Sequence, residues 1–143
     1  RWALQNSDAR DVAAAVLPGC EHVMEYHMLE KGDCWAAITG EPPVRMSRGD
    51  LVIFPQGDGH TMASAPGLAP RPRPPEWVVE RKDAARPLSV SFVGTRMEEG
   101  RSLPPDEAQN VLICGFLGCD LKPFNPLIAA LPRLLHLPAA RVG

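Results

Sequence analysis

The sequence predicts an all-β protein, a barrel or sandwich of short antiparallel strands. Short apolar or alternating runs recur along the chain, separated by turns rich in Gly and Pro, a pattern that favours this class over parallel α/β. Segment 49–60 shows the pattern most clearly: a Gly-Asp turn, a four-residue apolar strand, a second turn and then His60. The 143 residues are enough for one domain with a single core.

The first predicted element is a short helix that Ser7 caps and that continues to about Leu17. Acidic residues follow Ser7 near the positive end of this helix, and a run of alanines favours helix in its centre. Pro18 and Gly19 end it. Strands are predicted at residues 20–29, 34–39, 44–47, 51–54, 77–80, 88–93 and 111–117.

Three further segments interrupt or follow the predicted barrel, which spans about residues 20–120. Residues 65–75 contain five prolines in eleven positions and predict an exposed, extended loop. Residues 96–107 predict a second, polar loop. Asn125 can cap a helix with Pro126 in its first turn, and leucines at helical spacing predict a helical segment over about 125–137.

The composition excludes several classes of protein. Fifteen basic residues stand against seventeen acidic ones, without a basic run, so the chain lacks the phosphate-neutralising surface of a DNA-binding domain. The four cysteines form no C-x2-C pair and predict reduced thiols in a cytoplasmic protein. No apolar stretch approaches the roughly 20 residues of a membrane span.

Several motifs carry a resemblance to a known family. Segment 49–60 has the spacing G-x5-P-x-G-x2-H and resembles the second signature of the cupin β-barrels, with Ser64 where that signature has Asn. Together with the run YHMLEKGDCW at 26–35, the pair Cys114-Gly115 and segment 125–132, it resembles the cupin-type sensor domain of AraC-type transcriptional regulators. The resemblance covers about residues 8–137 apart from the Pro-rich loop.

The resemblance implies a fold and a function. The fold is a cupin-like double-stranded β-helix, or jelly-roll, barrel with a short N-terminal helix and C-terminal helices. In that family the barrel senses a small-molecule effector, the helices after it form a homodimer, and a separate helix-turn-helix pair binds DNA. This sequence ends at Gly143 without such a pair, which implies a regulator fragment or a single-domain relative that reaches DNA only through a further domain.

Five residues are candidates for the effector or metal site: Glu25, His27, Trp35, His60 and Cys114. The first cupin signature matches only at its carboxylate, where counting back from Gly32 gives Glu25, and its two histidine positions hold other residues. The iron-type triad of that signature is therefore absent. The resemblance places a histidine at His27 and a cysteine at Cys114, which with His60 would suit zinc, with water, Glu25 or the effector as fourth ligand.

Two alternatives stay open on the sequence alone. The face of strand 20–29 opposite to His27 is the more apolar one, so hydrophobicity alone turns His27 outward. Trp35 can form an aromatic wall for an effector or be an ordinary core residue. The alternative function is a small stand-alone metal-dependent cupin enzyme, of oxygenase or isomerase type, acting on a small organic substrate.

Overall fold

Side chains alternate between more and less buried positions along the strands, so each strand turns one face to a shared interior. The computed structural model describes residues 1–80, 87–99, 107–119 and 126–139. The strands in these ranges are β1 (Ala3–Asn6), β2 (His22–Lys31), β3 (Cys34–Ile38), β4 (Val44–Met46), β5 (Leu51–Phe54), β6 (His60–Ala63), β7 (Arg71–Arg73), β8 (Leu88–Val93), β9 (Arg96–Glu99), β10 (Asn110–Cys119) and β11 (Leu135–Leu137). The helices are α1 (Ala13–Val16), α2 (Pro75–Val79) and α3 (Pro126–Ala130).

The strands form two sheets. The first sheet has the order β4-β3-β6-β1-β7, and the second has the order β11-β5-β2-β10-β8-β9. Within the described ranges every strand pair is antiparallel except β1 and β7, which are parallel. The predicted all-β class of antiparallel strands is therefore confirmed. None of the described helices is long and apolar enough to cross a membrane.

Aromatic stacks join the inner faces of the two sheets. The rings of Trp2 and Phe92 stack with centroids 3.8 Å apart, and Trp2 Nε1 donates a hydrogen bond to Asn110 Oδ1 at 3.0 Å. Phe54 and His60, from opposite sheets, stack with centroids 3.7 Å apart. These contacts fix the spacing of the sheets around an apolar core whose fully buried members include Leu29, Cys34, Ala36, Met46, Val52, Phe54 and Val90.

Three predictions in the first two thirds of the chain are corrected. The predicted helix from Ser7 is only a 3-10 turn at Ala9–Asp11 followed by the four-residue α1, and Asp8 caps that turn by accepting from the amide of Arg10. Residues 77–79 belong to helix α2 and Glu80 caps its C-terminus, so no strand forms there, because Pro75 suits the first turn of a helix. The Pro-rich loop contains β7, whose Pro72 is tolerated because β7 is an edge strand.

Two predictions in the last third are also corrected. Strand β9 occupies part of the predicted polar loop 96–107. Helix α3 confirms a helix from Pro126, but residues 135–137 form strand β11 and pair with β5, because backbone pairing at the sheet edge overrides their helical spacing. The predicted cap Asn125 lies outside the described residues.

We expect Gly32→Ala to destabilise the protein by about 2–4 kcal/mol, since a left-handed backbone costs a side chain about 1–2 kcal/mol and the added methyl group would overlap Gln109 and Asn110. Gly40→Ala is the matched control. Gly40 has nearly the same φ, 84° against 82°, but open space around it, so it should show the backbone cost alone. Urea unfolding measures both, and equal losses would contradict the predicted overlap.

Candidate metal centre

Strand β2 turns Glu25 and His27 into the interior. Two residues apart on one strand, they share a face, and both are buried, at 5% and 0% exposure. The apolar residues Met24 and Met28 face outward instead, with Met28 36% exposed. The alternative in which hydrophobicity turns His27 outward is therefore wrong. Pairing with β5 and β10 on both sides sets this orientation, because the inward residues of all three strands must share one face.

His60 reaches the same interior from the other sheet. It is the first residue of β6, directly after the turn that ends β5, and it is fully buried. Two contacts orient its ring. One face stacks on Phe54, and Nδ1 donates a hydrogen bond to the carbonyl of Asp58 at 2.9 Å. Because a carbonyl can only accept, the hydrogen of the neutral ring lies on Nδ1, and Nε2 is left with its lone pair.

Glu25, His27 and His60 form a cluster with one ligand atom each, all within 4.8 Å of one another. The Nε2 atoms of the two imidazoles are 2.8 Å apart. Oε1 of Glu25 lies 3.4 Å from Nε2 of His27 and 3.8 Å from Nε2 of His60. Two imidazole nitrogens and one carboxylate oxygen converge on a single point, and this donor set is one that zinc, iron and related divalent ions accept. The cluster could therefore hold a metal ion.

Cys114 contacts the same imidazole on its other side. Its Sγ lies 3.0 Å from Nδ1 of His27, whereas the cluster uses Nε2 of that ring. In the metal-free protein, Nε2 of His27 donates to His60, so Nδ1 accepts from the Cys114 thiol. The thiol therefore occupies the position from which outer partners commonly orient a histidine ligand.

Burial shifts the protonation of all four groups. Burial raises the pKa of Glu25 to about 8, against a lowering effect of the Arg73 charge. Burial lowers the pKa of His60 to about 4 and that of His27 well below its ordinary value, with the Arg73 charge acting in the same direction. Burial raises the pKa of Cys114 to about 12. At neutral pH the metal-free cluster is thus uncharged, as a dry interior requires.

Trp35, the remaining candidate from the sequence, lies away from the cluster. Trp35 alternates along β3 with the buried residues Cys34 and Ala36, so its half-buried side chain is on the outer face of the first sheet. The structure therefore does not bring Trp35 to the cluster, although it brings Glu25, His27, His60 and Cys114 together.

Sequence reasoning missed two residues beside the cluster, Asp58 and Arg73. Asp58 orients His60 through its backbone carbonyl, a role open to any residue type and therefore without a sequence signal. Arg73 is 7% exposed, although it lies in the segment predicted to be an exposed loop. The alternation of Arg and Pro from Arg71 onward was the available signal, since period two is typical of a strand.

The pKa shifts predict that the stability of the metal-free protein is greatest near pH 6.5. Above that pH, ionisation of Glu25 is easier in the unfolded chain, so stability should fall by about 2 kcal/mol up to pH 8. Below it, the unfolded chain protonates two histidines that stay neutral in the fold down to about pH 4 for His60. The unfolded chain binds two protons on these histidines, whereas the folded protein retains one on Glu25, so stability falls as the pH is lowered. Urea unfolding across pH 4.5–8 measures the profile.

The matched variants for this profile are Glu25→Gln and Glu76→Gln. Glu25→Gln should remove the loss above pH 6.5 and steepen the loss below it, because Glu25 no longer offsets one of the two histidine protons, whereas Glu76→Gln changes an exposed carboxylate and should keep the parent profile. A parent protein whose stability rises steadily from pH 6.5 to 8 would contradict the assignment to Glu25.

Comparison with known proteins places this architecture in a family. A search of characterised proteins and a search of solved structures found no match to the chain. A family model described as Cupin matches residues 1–143. The match covers both sheets and the interior cluster, so the chain belongs to the cupin family.

Proposed function

We propose that this chain is the effector-sensing and dimerisation domain of an AraC-type transcriptional regulator, a binding module and not a catalyst. Its barrel interior holds a divalent metal ion, zinc first, together with a small-molecule effector. The observation that carries the proposal is a direct chain of contacts from the interior cluster to the C-terminal segment, residues 126–139. In regulators of this type the helices that follow the barrel mediate dimerisation.

The link runs through Asp58. Its backbone carbonyl accepts from Nδ1 of His60 at 2.9 Å, and its carboxylate Oδ1 accepts from Arg133 at 2.9 Å. Two residues earlier, Gln56 Nε2 donates to the carbonyl of Ile128 at 2.6 Å. The turn that positions a cluster imidazole is therefore the same turn that holds the C-terminal segment.

A second anchor fixes the far end of this segment. Asp50 accepts hydrogen bonds from the amides of Ser47 and Ala139, both at 2.9 Å, and its Oδ2 is 2.9 Å from Nε2 of His136. Burial acts to raise the pKa of Asp50, but these hydrogen bonds outweigh it and the pKa is lowered. Strand β11 also pairs with β5, the neighbour of β2. The C-terminal segment thus rests on the strands and turns that build the cluster.

These contacts support a population-shift mechanism. An occupant of the interior that binds one arrangement of His60 and its turn more tightly also favours one arrangement of Asp58 and Arg133. The C-terminal segment then differs in position or order between the free and bound states. The size of the response equals the difference in affinity of the occupant for the two arrangements.

Glu25, His27 and His60 are the proposed metal ligands, with Cys114 as the outer partner of His27. When bound, zinc supplies a positive charge and an open coordination position for an effector oxygen. The chain's own residues prepare the site: Asp58 keeps Nε2 of His60 unprotonated, and Cys114 can accept a hydrogen from Nδ1 of His27 once Nε2 is used.

Zinc uptake should distinguish ligands from outer partners. His60→Ala and Glu25→Gln each remove a ligand and should abolish measurable uptake, whereas Cys114→Ser should weaken it only about 10–100-fold. His22→Ala is the control, because His22 contacts Pro55 and is not in the cluster, and it should bind as the parent does. Competition with a chromophoric chelator measures the affinities. A loss in Cys114→Ser as large as in His60→Ala would make Cys114 a ligand, and no uptake by the parent would contradict the site.

Hydrogen exchange tests the coupling. Zinc should slow exchange of the amides in residues 126–139 by about tenfold, a coupling of about 1.4 kcal/mol. Arg133→Met removes the contact with Asp58 and should reduce this effect while zinc still binds. Arg45→Met, which breaks an exposed pair with Asp33, is the control. Zinc binding without any change at residues 126–139 would contradict the sensor mechanism.

We also propose that two copies associate through the C-terminal segment. Leu127 on α3 is 76% exposed and Leu131 is 37% exposed, whereas Ile128 is buried within the chain. Light scattering should show a dimer for the chain and a monomer for Leu127→Lys, because a charge there would face the partner. A monomer for the parent at high concentration would contradict the proposal.

One observation favours the enzyme alternative. Two histidines and one carboxylate are the ligand set of non-heme iron oxygenases as well as of zinc sites. An enzyme of this type would consume dioxygen when the iron(II)-loaded protein is given its organic substrate. Oxygen uptake that depends on both iron and a small organic acid would favour the enzyme, and effector binding without turnover favours the sensor.

A further inference from the structure

Two buried side chains next to the metal cluster have donors without partners. Nε of Arg73 and Nδ2 of Asn6 find no hydrogen-bond acceptor in the described part of the chain. Arg73 is 7% exposed and Asn6 is 4% exposed. A buried guanidinium without a negatively charged partner is costly in a protein interior, so these donors favour an anion as ligand.

Strand register brings both donors to the cluster. Strand β1 lies between β6 and β7, and Asn6 is the register partner of His60 on one side and of Arg73 on the other. All three side chains are buried, so they form a row on the inner face of the first sheet. The row continues the cluster, because His60 belongs to both and is a proposed metal ligand.

The charge of Arg73 is not neutralised locally. Among the described residues it forms no ion pair. The guanidinium has a hydrogen bond with the Cys114 side chain, whereas its Nε has no acceptor. A thiol is a weak hydrogen-bond partner and supplies no negative charge, so the guanidinium lacks a counter-ion among the described residues.

Trp77 determines which shape of anion fits. The guanidinium carbon of Arg73 lies 3.8 Å from the centre of the Trp77 ring, so one flat face of the guanidinium is covered. The guanidinium therefore has its planar edge for a ligand, where paired N–H groups match the two oxygens of a carboxylate. Asn6 adds one more donor. A planar anion with two oxygens matches this set better than a tetrahedral one with four.

We propose that the barrel interior binds a small organic carboxylate, with its carboxylate on Arg73 and Asn6 and the rest of the molecule directed to the cluster of Glu25, His27 and His60. This inference rests on the proposed function, in which the interior is a small-molecule site, and names the chemical class of the effector. Neither donor belongs to the site that the sequence predicted.

Acetate, as the smallest carboxylate probe, tests the proposal by NMR. The Nε–H resonance of Arg73, assigned by its absence in Arg73→Lys, should shift saturably with acetate in metal-free and zinc-loaded protein. Acetamide has the same shape without the charge and should cause no shift. Inorganic phosphate should bind at least tenfold more weakly than acetate. A shift at Arg73 no larger than at exposed Arg45, or tighter binding of phosphate, would overturn the proposal.

Matched variants separate this site from its neighbours. Arg73→Met and Asn6→Ala should weaken acetate binding at least tenfold, while retained zinc uptake shows that each variant is folded. Arg71→Met changes an exposed arginine on the same strand and should bind acetate as the parent does. If Arg71→Met abolishes binding, the anion occupies the surface depression between Arg1 and Arg71, and the proposal is overturned. Zinc uptake without acetate binding would support the metal site and contradict the carboxylate site. Acetate binding without zinc uptake would support the carboxylate site and contradict the metal site.

Discussion

The inward orientation of β2 is the constraint on which the site depends. The strand is paired on both sides, with β5 and β10, and a slip of one residue would send Glu25 and His27 to the outer face. Their burial has a cost that the apolar Met24 and Met28 would not incur in the same positions. Hydrogen bonds to each imidazole offset part of this cost, and the stacking of Phe54 on His60 fills the space between the sheets.

The interior combines three kinds of polar group that together define a binding site. The imidazoles and the carboxyl group can accept a cation, while Arg73 and Asn6 offer donors to an anion. An interior built only for stability would have apolar residues of similar volume in these positions. A metal ion and a carboxylate would each lower the electrostatic cost of the other's partners, so the two proposed occupants support one another.

The same residues also connect the interior to the outside of the barrel. Asp58 uses its carbonyl for His60 and its side chain for Arg133, so a single turn has both an interior and an exterior role. Helix α2 carries Trp77, which covers Arg73, so the helix that follows the edge strand β7 is tied to the proposed anion site. An occupant of the interior would therefore affect two segments outside it, the C-terminal segment and helix α2.

The sequence by itself determined the class of the fold and most strands, because turn residues and short-range spacing carry that information, and it named Glu25, His27, His60 and Cys114 as candidates, which the fold brings together. It did not determine which ring nitrogen of His27 faces Cys114, that β7 forms within the predicted Pro-rich loop, or that α2 forms where a strand was predicted. Asn6 carried no recognisable motif, and the alternation of Arg and Pro around Arg73 indicated at most a strand, since the roles of both residues arise from the pairing of β1 with β6 and β7. Pairing between strands distant in sequence is a tertiary property, and it alone decided which polar side chains share the interior.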